Sequence, residues 1–308
     1  MDQSRLSRRS FVAFVILLGM APPLATDIYL SALPEMVREF STAPDILNIT
    51  MYGFMMTMAV SILVIGPLSD KYGRMPVLRF CLAEFMAMTI LSALASDVWL
   101  FICLRILQAI GAGGAVTISM AFVKDSFRGK ERADLLKTIS VVNVLAPVMA
   151  PVMGTAIMAF CSWRFTLAIP VILGLVCFVT AFRVDETLPE EERVDDGLVR
   201  TMHAIRRICS DRKFSAFLVM SALPYLAFMA HISVSSYIYE GIFGLDGNAY
   251  TAVLAATLIA GTAAMMVITR TAADLPNRRL LLLFPALLGI SALLMAAVGH
   301  REWYLFFV

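Results

Sequence analysis

Long apolar runs alternate with short polar segments along the whole chain, and the runs are continuous rather than alternating residue by residue. A membrane-crossing helix needs about 20 predominantly apolar residues. On that length the runs predict helices over 11–33, 49–69, 76–96, 98–123, 136–160, 163–182, 214–239, 249–269 and 279–299. A tenth run opens at Glu302 and Trp303 and has reached only Val308 where the chain stops, so the chain reads as truncated at its C-terminal side. The short alternating segments of a β-barrel are not seen. The expected fold class is all-α, a polytopic helical membrane protein.

The sharpest interruption is GPLSDKYGRMPVL, residues 66–78, which places Asp70, Lys71 and Arg74, with Arg79 just beyond, between two crossing lengths. Gly66 and Pro67 are expected to end the second helix and Gly73 to let the backbone turn tightly. The charges then predict a short water-facing hinge. Asp70, set near a neighbouring helix N-terminus or paired with an arginine, would latch one conformational state. The simpler alternative is a tight turn whose charges only set the topology.

Composition extends this picture from single segments to the entire chain. Of the 308 residues 60% are hydrophobic and 16% charged, with a mean hydropathy of +0.82, against about 45–50% and about 25% in soluble domains. The net charge of +2 carries no sign of nucleic-acid binding, because the basic residues sit in the polar segments. Segments 1–10, 70–79, 124–137, 183–213 and 270–279 hold 21 of the 25 Lys and Arg residues. By the positive-inside rule the N-terminus and the hinge face the cytoplasm. Arg38, Arg164 and Arg301 fall on the opposite side, and Arg105 alone lies within a crossing helix. The apolar run after Arg5, Arg8 and Arg9 carries Pro22, Pro23 and Asp27 without a small-residue cleavage pattern, so it reads as an uncleaved first helix rather than a signal peptide. The five cysteines have neither metal nor disulfide spacing and are expected to be small buried hydrophobes.

Residues 183–213 form the one long polar stretch, with Glu190, Glu191, Glu192, Asp195 and Asp196 followed by Arg206, Arg207, Arg212 and Lys213. It follows the sixth predicted helix, as a linker between two six-helix halves would, and an amphipathic helix is expected along 197–210. The expected organisation is an N-terminal half at 1–182, a cytoplasmic linker at 183–213 and a partial second half at 214–308. An internal repeat agrees with it. A shift of 204 residues sets Asp70 on Asp274, Arg74 on Arg278, VWLFI (98–102) on EWYLF (302–306), and Asp27 opposite His231.

Several residues within the crossing lengths carry candidate chemistry. An acid at mid-bilayer costs about 2.5–3.5 kcal/mol on insertion scales, so Asp27 should face the bundle interior or a cavity. There it could take up a proton or a substrate cation, or simply partner a polar neighbour. Arg105 cannot release its proton at ordinary pH, so it either acts electrostatically on a nearby acid or pairs with backbone carbonyls. Gln108 and Ala112 share its face at i+3 and i+7. Ala146, Ala150 and Gly154 repeat at four-residue spacing, as do Pro147 and Pro151. Such a stripe admits a close neighbouring helix and suits either rocking of the halves or ordinary packing, with the prolines bending the backbone. Glu84, Asn143, His231 and Glu240 are further polar candidates, and Tyr29, Tyr225, Phe228, Tyr237 and Tyr239 supply aromatic surface. The tyrosines near 237–239 also fit an interfacial belt.

GPLSDKYGR resembles the signature loop of the major facilitator superfamily, and RILQAIGAGG, from Arg105, is similar to its arginine motif. APVMAPVMG, residues 146–154, resembles the antiporter motif of its drug:proton exporters. TDIYLSALP (26–34) and DETLP (185–189) point further, to the Bcr/CflA-type exporters of chloramphenicol, bicyclomycin and other drugs. Ser31 stands where that pattern has proline, Met75 where it has a basic residue and Thr155 where it has glycine. The resemblance implies a twelve-helix fold, of which about two and a half helices are absent from this chain. It also implies a proton-coupling role for an acid of the first helix at the position of Asp27 and for Arg105.

The leading expectation is a secondary active exporter in the inner membrane, moving small amphipathic drugs outward in exchange for protons. It would use the proton gradient and no cofactor, with small molecules, protons and the bilayer as its partners. No GxxxxGK[ST] motif occurs to suggest ATP drive. A major-facilitator transporter of another small metabolite, or a fragment that transports nothing, are the alternatives. A polytopic membrane enzyme is disfavoured, because the three histidines form no HExxH motif and no GxSxG motif occurs.

Overall fold

The first apolar run does not form one helix. The computed structural model describes residues 6–194, 197–246, 249–250, 252–257 and 260. In it the run divides into α1 (Arg8–Gly19), α2 (Ala21–Asp27) and α3 (Leu33–Glu39), with a 3₁₀ turn at Leu30–Ala32. Pro22 and Pro23 lie in the first turn of α2, where backbone N–H groups have no intrahelical acceptor in any case. Placing the break before the prolines satisfies them at little expense, which corrects the expectation of a single helix over 11–33.

The chain continues as α4 (Pro44–Tyr72), α5 (Arg74–Leu94), α6 (Val98–Ser126) and α7 (Gly129–Met158). A 3₁₀ turn at Trp163–Leu167 leads into α8 (Ala168–Thr180), and α9 (Gly197–Ser210) and α10 (Arg212–Ser236) follow. The amphipathic helix expected at 197–210 is therefore present as α9. Among the described residues six stretches, Arg8–Glu39, Pro44–Tyr72, Arg74–Leu94, Val98–Ser126, Gly129–Met158 and Trp163–Thr180, are long and apolar enough to cross a membrane. No strand occurs among the described residues. α10 covers most of the seventh predicted helix. Most of the eighth, all of the ninth, the start of the tenth, and Asp274 and Arg278 lie outside the described residues.

Gly66 and Pro67 do not end the second helix. α4 passes through them and stops only at Tyr72. Within a bilayer no water is available to satisfy a broken ladder, so a proline is more readily carried inside the helix than used to end it. The Ser69 hydroxyl donates to the Gly66 carbonyl at 2.8 Å. The turn falls at Gly73, whose φ of +93° favours glycine.

Ion pairs and hydrogen bonds orient the six stretches. Arg8 pairs with Glu131 at the start of α7, and Arg74 at the start of α5 pairs with Asp125 at the end of α6. These contacts gather the hinge, the start of α1 and the α6–α7 turn on one face. Opposite, Glu39 accepts hydrogen bonds from Trp163 and Arg164, and Arg164 also donates to the Ala95 carbonyl at 3.0 Å. The stretches thus run alternately up and down.

The core is layered along that axis. Phe11, Phe14, Leu78, Phe122 and Val184 pack at the hinge end. Tyr29, Phe101, Trp163, Tyr239 and Tyr250 pack at the far end. Between them lie Ala25, Phe54, Phe85 and Ala112, with Leu24, Ile28 and Ala150 beside them. The outer flanks are apolar and bare: Met56, Phe80, Leu94, Ile172 and Val179 are all exposed, as suits a surface solvated by acyl chains rather than water. Of the cysteines, Cys81 and Cys177 are buried as expected, whereas Cys103, Cys161 and Cys209 are exposed. An apolar run in lipid has an outer face too, so a cysteine within it need not be interior.

Candidate functional site

Arg105 and Gln108 lie one turn apart on α6 and are both fully buried. Their i, i+3 spacing puts them on one face, and Arg105 donates through one terminal nitrogen to Gln108 Oε1. Its other terminal nitrogen donates to the Ala25 carbonyl of α2 at 2.6 Å, while Nε has no partner. The guanidinium is flanked by the rings of Tyr29 and Phe54, 4.6 Å and 5.2 Å from their centroids. A desolvated cation–π contact contributes about 2 kcal/mol, which helps hold a charge that water no longer solvates. Gln108 Nε2 donates to Thr89 Oγ1 at 2.5 Å, and the Thr89 hydroxyl donates to the Phe85 carbonyl at 2.5 Å. The arginine is thereby fixed to α2, α5 and α6 at once.

Asp27 closes α2 two residues beyond the carbonyl that holds Arg105, and it is 8% exposed. Thr26 offers its single hydroxyl proton to Asp27 Oδ1 at 2.8 Å and to the Pro22 carbonyl at 3.0 Å. Asp27 and Arg105 are within electrostatic reach. Among the described residues, no ion pair within 4.0 Å joins them. Each is held mainly by other groups, so their mutual attraction depends on how α2 sits against α6. Tyr29, the next aromatic along, is fully buried with its hydroxyl 3.1 Å from Thr50 Oγ1. Thr50 itself donates to the Leu47 carbonyl at 2.7 Å, which leaves Tyr29 as the donor in that pair.

α7 supports this layer from behind. Ala146, Ala150, Pro151 and Gly154 are buried and Pro147 is half-buried in a helix that runs unbroken past both prolines. A Cβ on Gly154 would land on the Ile28 carbonyl of the α2 exit. The small column is what lets α7 lie directly against the backbone next to Asp27.

Other candidates stand apart. Glu84 is half-buried; its Oε2 is enclosed without a partner and lies where a Cβ on Gly111 would fall. It therefore faces α6 but is not joined to the Arg105 network. Asn143 is exposed, with Oδ1 3.7 Å from the position of a Cβ on Gly19. The side chains of His231, Glu240, Tyr225, Phe228 and Tyr237 lie outside the described residues. Tyr239 is buried, 6.2 Å from the Tyr250 ring, and belongs to the far-end core rather than an interfacial belt. Its sequence position near a helix end gave no sign of the aromatic partner that covers it.

The hinge forms a second constellation. Asp70 pairs with Arg74 at 2.6 Å. Arg74 is buried, not water-facing, and also donates to Ser69 Oγ at 2.6 Å and to Asp125 at 3.2 Å. Glu186, from the segment after α8, accepts the backbone N–H groups of Arg74 and Met75, each at 3.0 Å. It also accepts those of Thr187 and Leu188 at 3.0 and 3.1 Å. A Cβ on Gly73 would approach Glu186 Oε2 to 2.8 Å, so glycine is required there by space as well as by φ. The Asp70 carbonyl accepts from the Val194 backbone N–H at 3.2 Å, and Arg79 donates to the Ala181 carbonyl at 3.3 and 3.1 Å. Asp125 and Thr89 were not legible as site residues; their only signal was a polar side chain inside or at the end of an apolar run, while Thr26 was visible only as the first residue of TDIYLSALP. Glu186 was visible as part of DETLP, but the two donors that tie it to α5, on Arg74 and Met75, lie more than 100 positions away.

Comparison with known proteins agrees with this architecture. The family profile of the Major Facilitator Superfamily matches residues 10–308. The chain is 25% identical over 92% of its length to the multidrug resistance protein MdtL of Vibrio parahaemolyticus, of which it covers 72%. It is 25% identical over 77% of its length to the bicyclomycin resistance protein homolog of Haemophilus influenzae, and covers 61% of that relative. The solved structure of a bacterial homolog of the human lysosomal transporter Spinster superposes with a TM-score of 0.71 at 16% identity. That match covers 88% of this chain and 64% of the other. With a profile match over nearly the whole chain and six alternating apolar stretches, the chain belongs to the Major Facilitator Superfamily.

Proposed function

We propose that this polytopic membrane transporter is a secondary exporter of small amphipathic drugs in exchange for protons. In this reading Asp27 is the site that a proton and a cationic or polar substrate occupy in turn. The observation that carries it is the buried acid of α2 and the buried arginine of α6, set within electrostatic reach of each other without an ion pair. Two unit charges 4 Å apart interact by about 4 kcal/mol at an effective dielectric of about 20, and the interaction weakens as they separate. A shift of α2 against α6 would therefore change how readily Asp27 holds a proton, while Arg105 stays charged throughout. Relatives named for multidrug and bicyclomycin resistance support the substrate class.

The N-terminus and hinge are assigned to the cytoplasmic side of the inner membrane, because the hinge face carries most of the Lys and Arg residues. Residues 1–182 and 214–308 are taken as parts of two related halves joined by the 183–213 linker. Asp70, Arg74, Gly66 and Gly73 belong to a hinge that latches one state, and α7 provides the close seam beside Asp27.

The test is drug flux in proteoliposomes containing the intact protein under an imposed pH gradient. Export driven by the gradient and collapsed by an uncoupler is expected. Asp27→Asn should abolish the gradient-driven flux while leaving downhill exchange of drug across the vesicle. Absence of any uncoupler-sensitive flux refutes export by proton exchange, and gradient-driven flux that survives Asp27→Asn refutes the assignment of Asp27.

A further inference from the structure

Helix α9 is a short amphipathic helix set at the hinge end of the bundle, and the proposed export gives it no role beyond connecting the two halves. Its position follows from its connections. The segment leading to it is bonded to the hinge through Val194 and Asp70, and α9 itself packs against α4 and α10. It therefore lies at the level where the spans leave the bilayer. Residues 197–213 hold Arg200, Arg206, Arg207, Arg212 and Lys213 against a single acid, Asp211. Arg206, Arg207, Arg212 and Lys213 are all exposed. Asp211 is partly engaged in accepting the Lys213 backbone N–H at 2.9 Å. The apolar side of the same helix is only partly used by the protein: Ile205 is half-buried, whereas Met202 and Ile208 are each 46% exposed. Phe214, 43% exposed at the start of α10, continues this apolar strip towards Leu218 and Leu223, which lie bare on the same helix.

An exposed apolar strip bordered by four cationic side chains, at the end of membrane-crossing helices, does not match water on one side or acyl chain on the other. It matches the boundary between them, where the strip enters the upper acyl region and long basic side chains reach back to the headgroups. We infer that α9 and the first turn of α10 form a docking surface for anionic phospholipid in the leaflet on the hinge side. The occupant is fixed by charge complementarity: a zwitterionic headgroup would serve the apolar strip equally but would not answer a local excess of four positive charges. Each basic side chain near an anionic surface favours the contact by about fivefold. Because the preceding segment is bonded to the hinge, lipid held here would also tether residues 181–194 where they strap α5. The inference concerns lipid and stands whether or not the protein exports drugs.

The test uses the intact protein carrying Met202→Trp in vesicles of phosphatidylcholine mixed with phosphatidylglycerol. Bromine quenchers are placed on the acyl chains of one lipid or the other, and the unmodified protein supplies the background from native tryptophans. Quenching of the new fluorophore is expected from both lipids, but with phosphatidylglycerol enriched at least about fivefold over its bulk share. The enrichment should fall towards unity at high salt, and likewise when Arg206, Arg207, Arg212 and Lys213 are all changed to Gln. The salt arm needs no further substitution, so it reads the same property even if that variant folds poorly. No quenching from either lipid would overturn the placement of α9 in the leaflet. Quenching in proportion to bulk composition at low salt would overturn the anionic preference.

Discussion

Replacing Glu186 tests how the hinge is held, and the structure sets the size of the effect. The carboxylate accepts four backbone N–H groups, two of them the first donors of α5, which have no intrahelical acceptor of their own. Loss of a capping acceptor typically costs about 0.5–2 kcal/mol, and a hydrogen bond to a charged group contributes about 1.5–3 kcal/mol. The two bonds within 186–188 are local and can be replaced by water, so the bonds to Arg74 and Met75 carry most of the loss. Glu186→Ala should therefore destabilise the protein by about 2–4 kcal/mol. Glu186→Gln is the more discriminating change. It keeps the shape but turns one oxygen into a donor, and whichever orientation it takes, that amide faces a backbone N–H. About half the loss is expected, with the bond to Met75 the one given up, because Oε1 serves three donors and Oε2 serves one. The assay is reversible unfolding of the purified protein in mixed micelles, followed by fluorescence of a reporter in α5. A Glu186→Ala protein within about 0.5 kcal/mol of the parent, the range of ordinary surface changes, would refute the reasoning. So would a Glu186→Gln protein as unstable as Glu186→Ala.

Two further outcomes are expected. Gly154→Val should prevent α7 from seating against α2, since even its Cβ overlaps the Ile28 carbonyl. Loss of the monodisperse peak in fluorescence-detected size-exclusion is the readout, and a normal profile with full transport would contradict that packing. Cys161 and Cys209 are exposed at opposite ends of the bundle, while Cys81 and Cys177 are buried. With the third exposed thiol removed by Cys103→Ser, a membrane-impermeant maleimide should label Cys161 and spare Cys209 in intact cells, with the reverse in inside-out vesicles. The opposite pattern would invert the proposed orientation.

The fold class was legible because the bilayer constrains length and composition so strongly that six crossing stretches can be read from apolar runs alone. Arg105 and Gln108 were legible for a related reason: a charge inside such a run has to face inward, and its i+3 partner shares that face. Their acceptors were not, since Ala25, Thr89 and the ring of Phe54 lie on other helices and carry no distinguishing signal. The hinge was read in the right place but with the wrong ending. Gly66 and Pro67 look like a helix stop by local propensity, yet the membrane penalises an open ladder more than a proline, and α4 continues to Tyr72. In the first stretch the balance went the other way, because Pro22 and Pro23 could be placed in a helix start, and the helix broke.

The sequence by itself determined that the chain is a helical membrane protein, which of its residues are costly to bury, and on which face its basic residues gather. Those properties depend on the transfer of individual side chains between water and lipid, which is a property of each residue with its near neighbours. Tertiary structure alone decided that Arg74 is buried among Ser69, Asp70 and Asp125, and that Glu186 closes the start of α5. It also decided that Asp27 and Arg105 are held near each other without touching. The deciding contacts, Arg74 with Asp125, Glu186 with Arg74 and Arg105 with Ala25, join residues 51, 112 and 80 positions apart, and only the packing of helix against helix sets their distances.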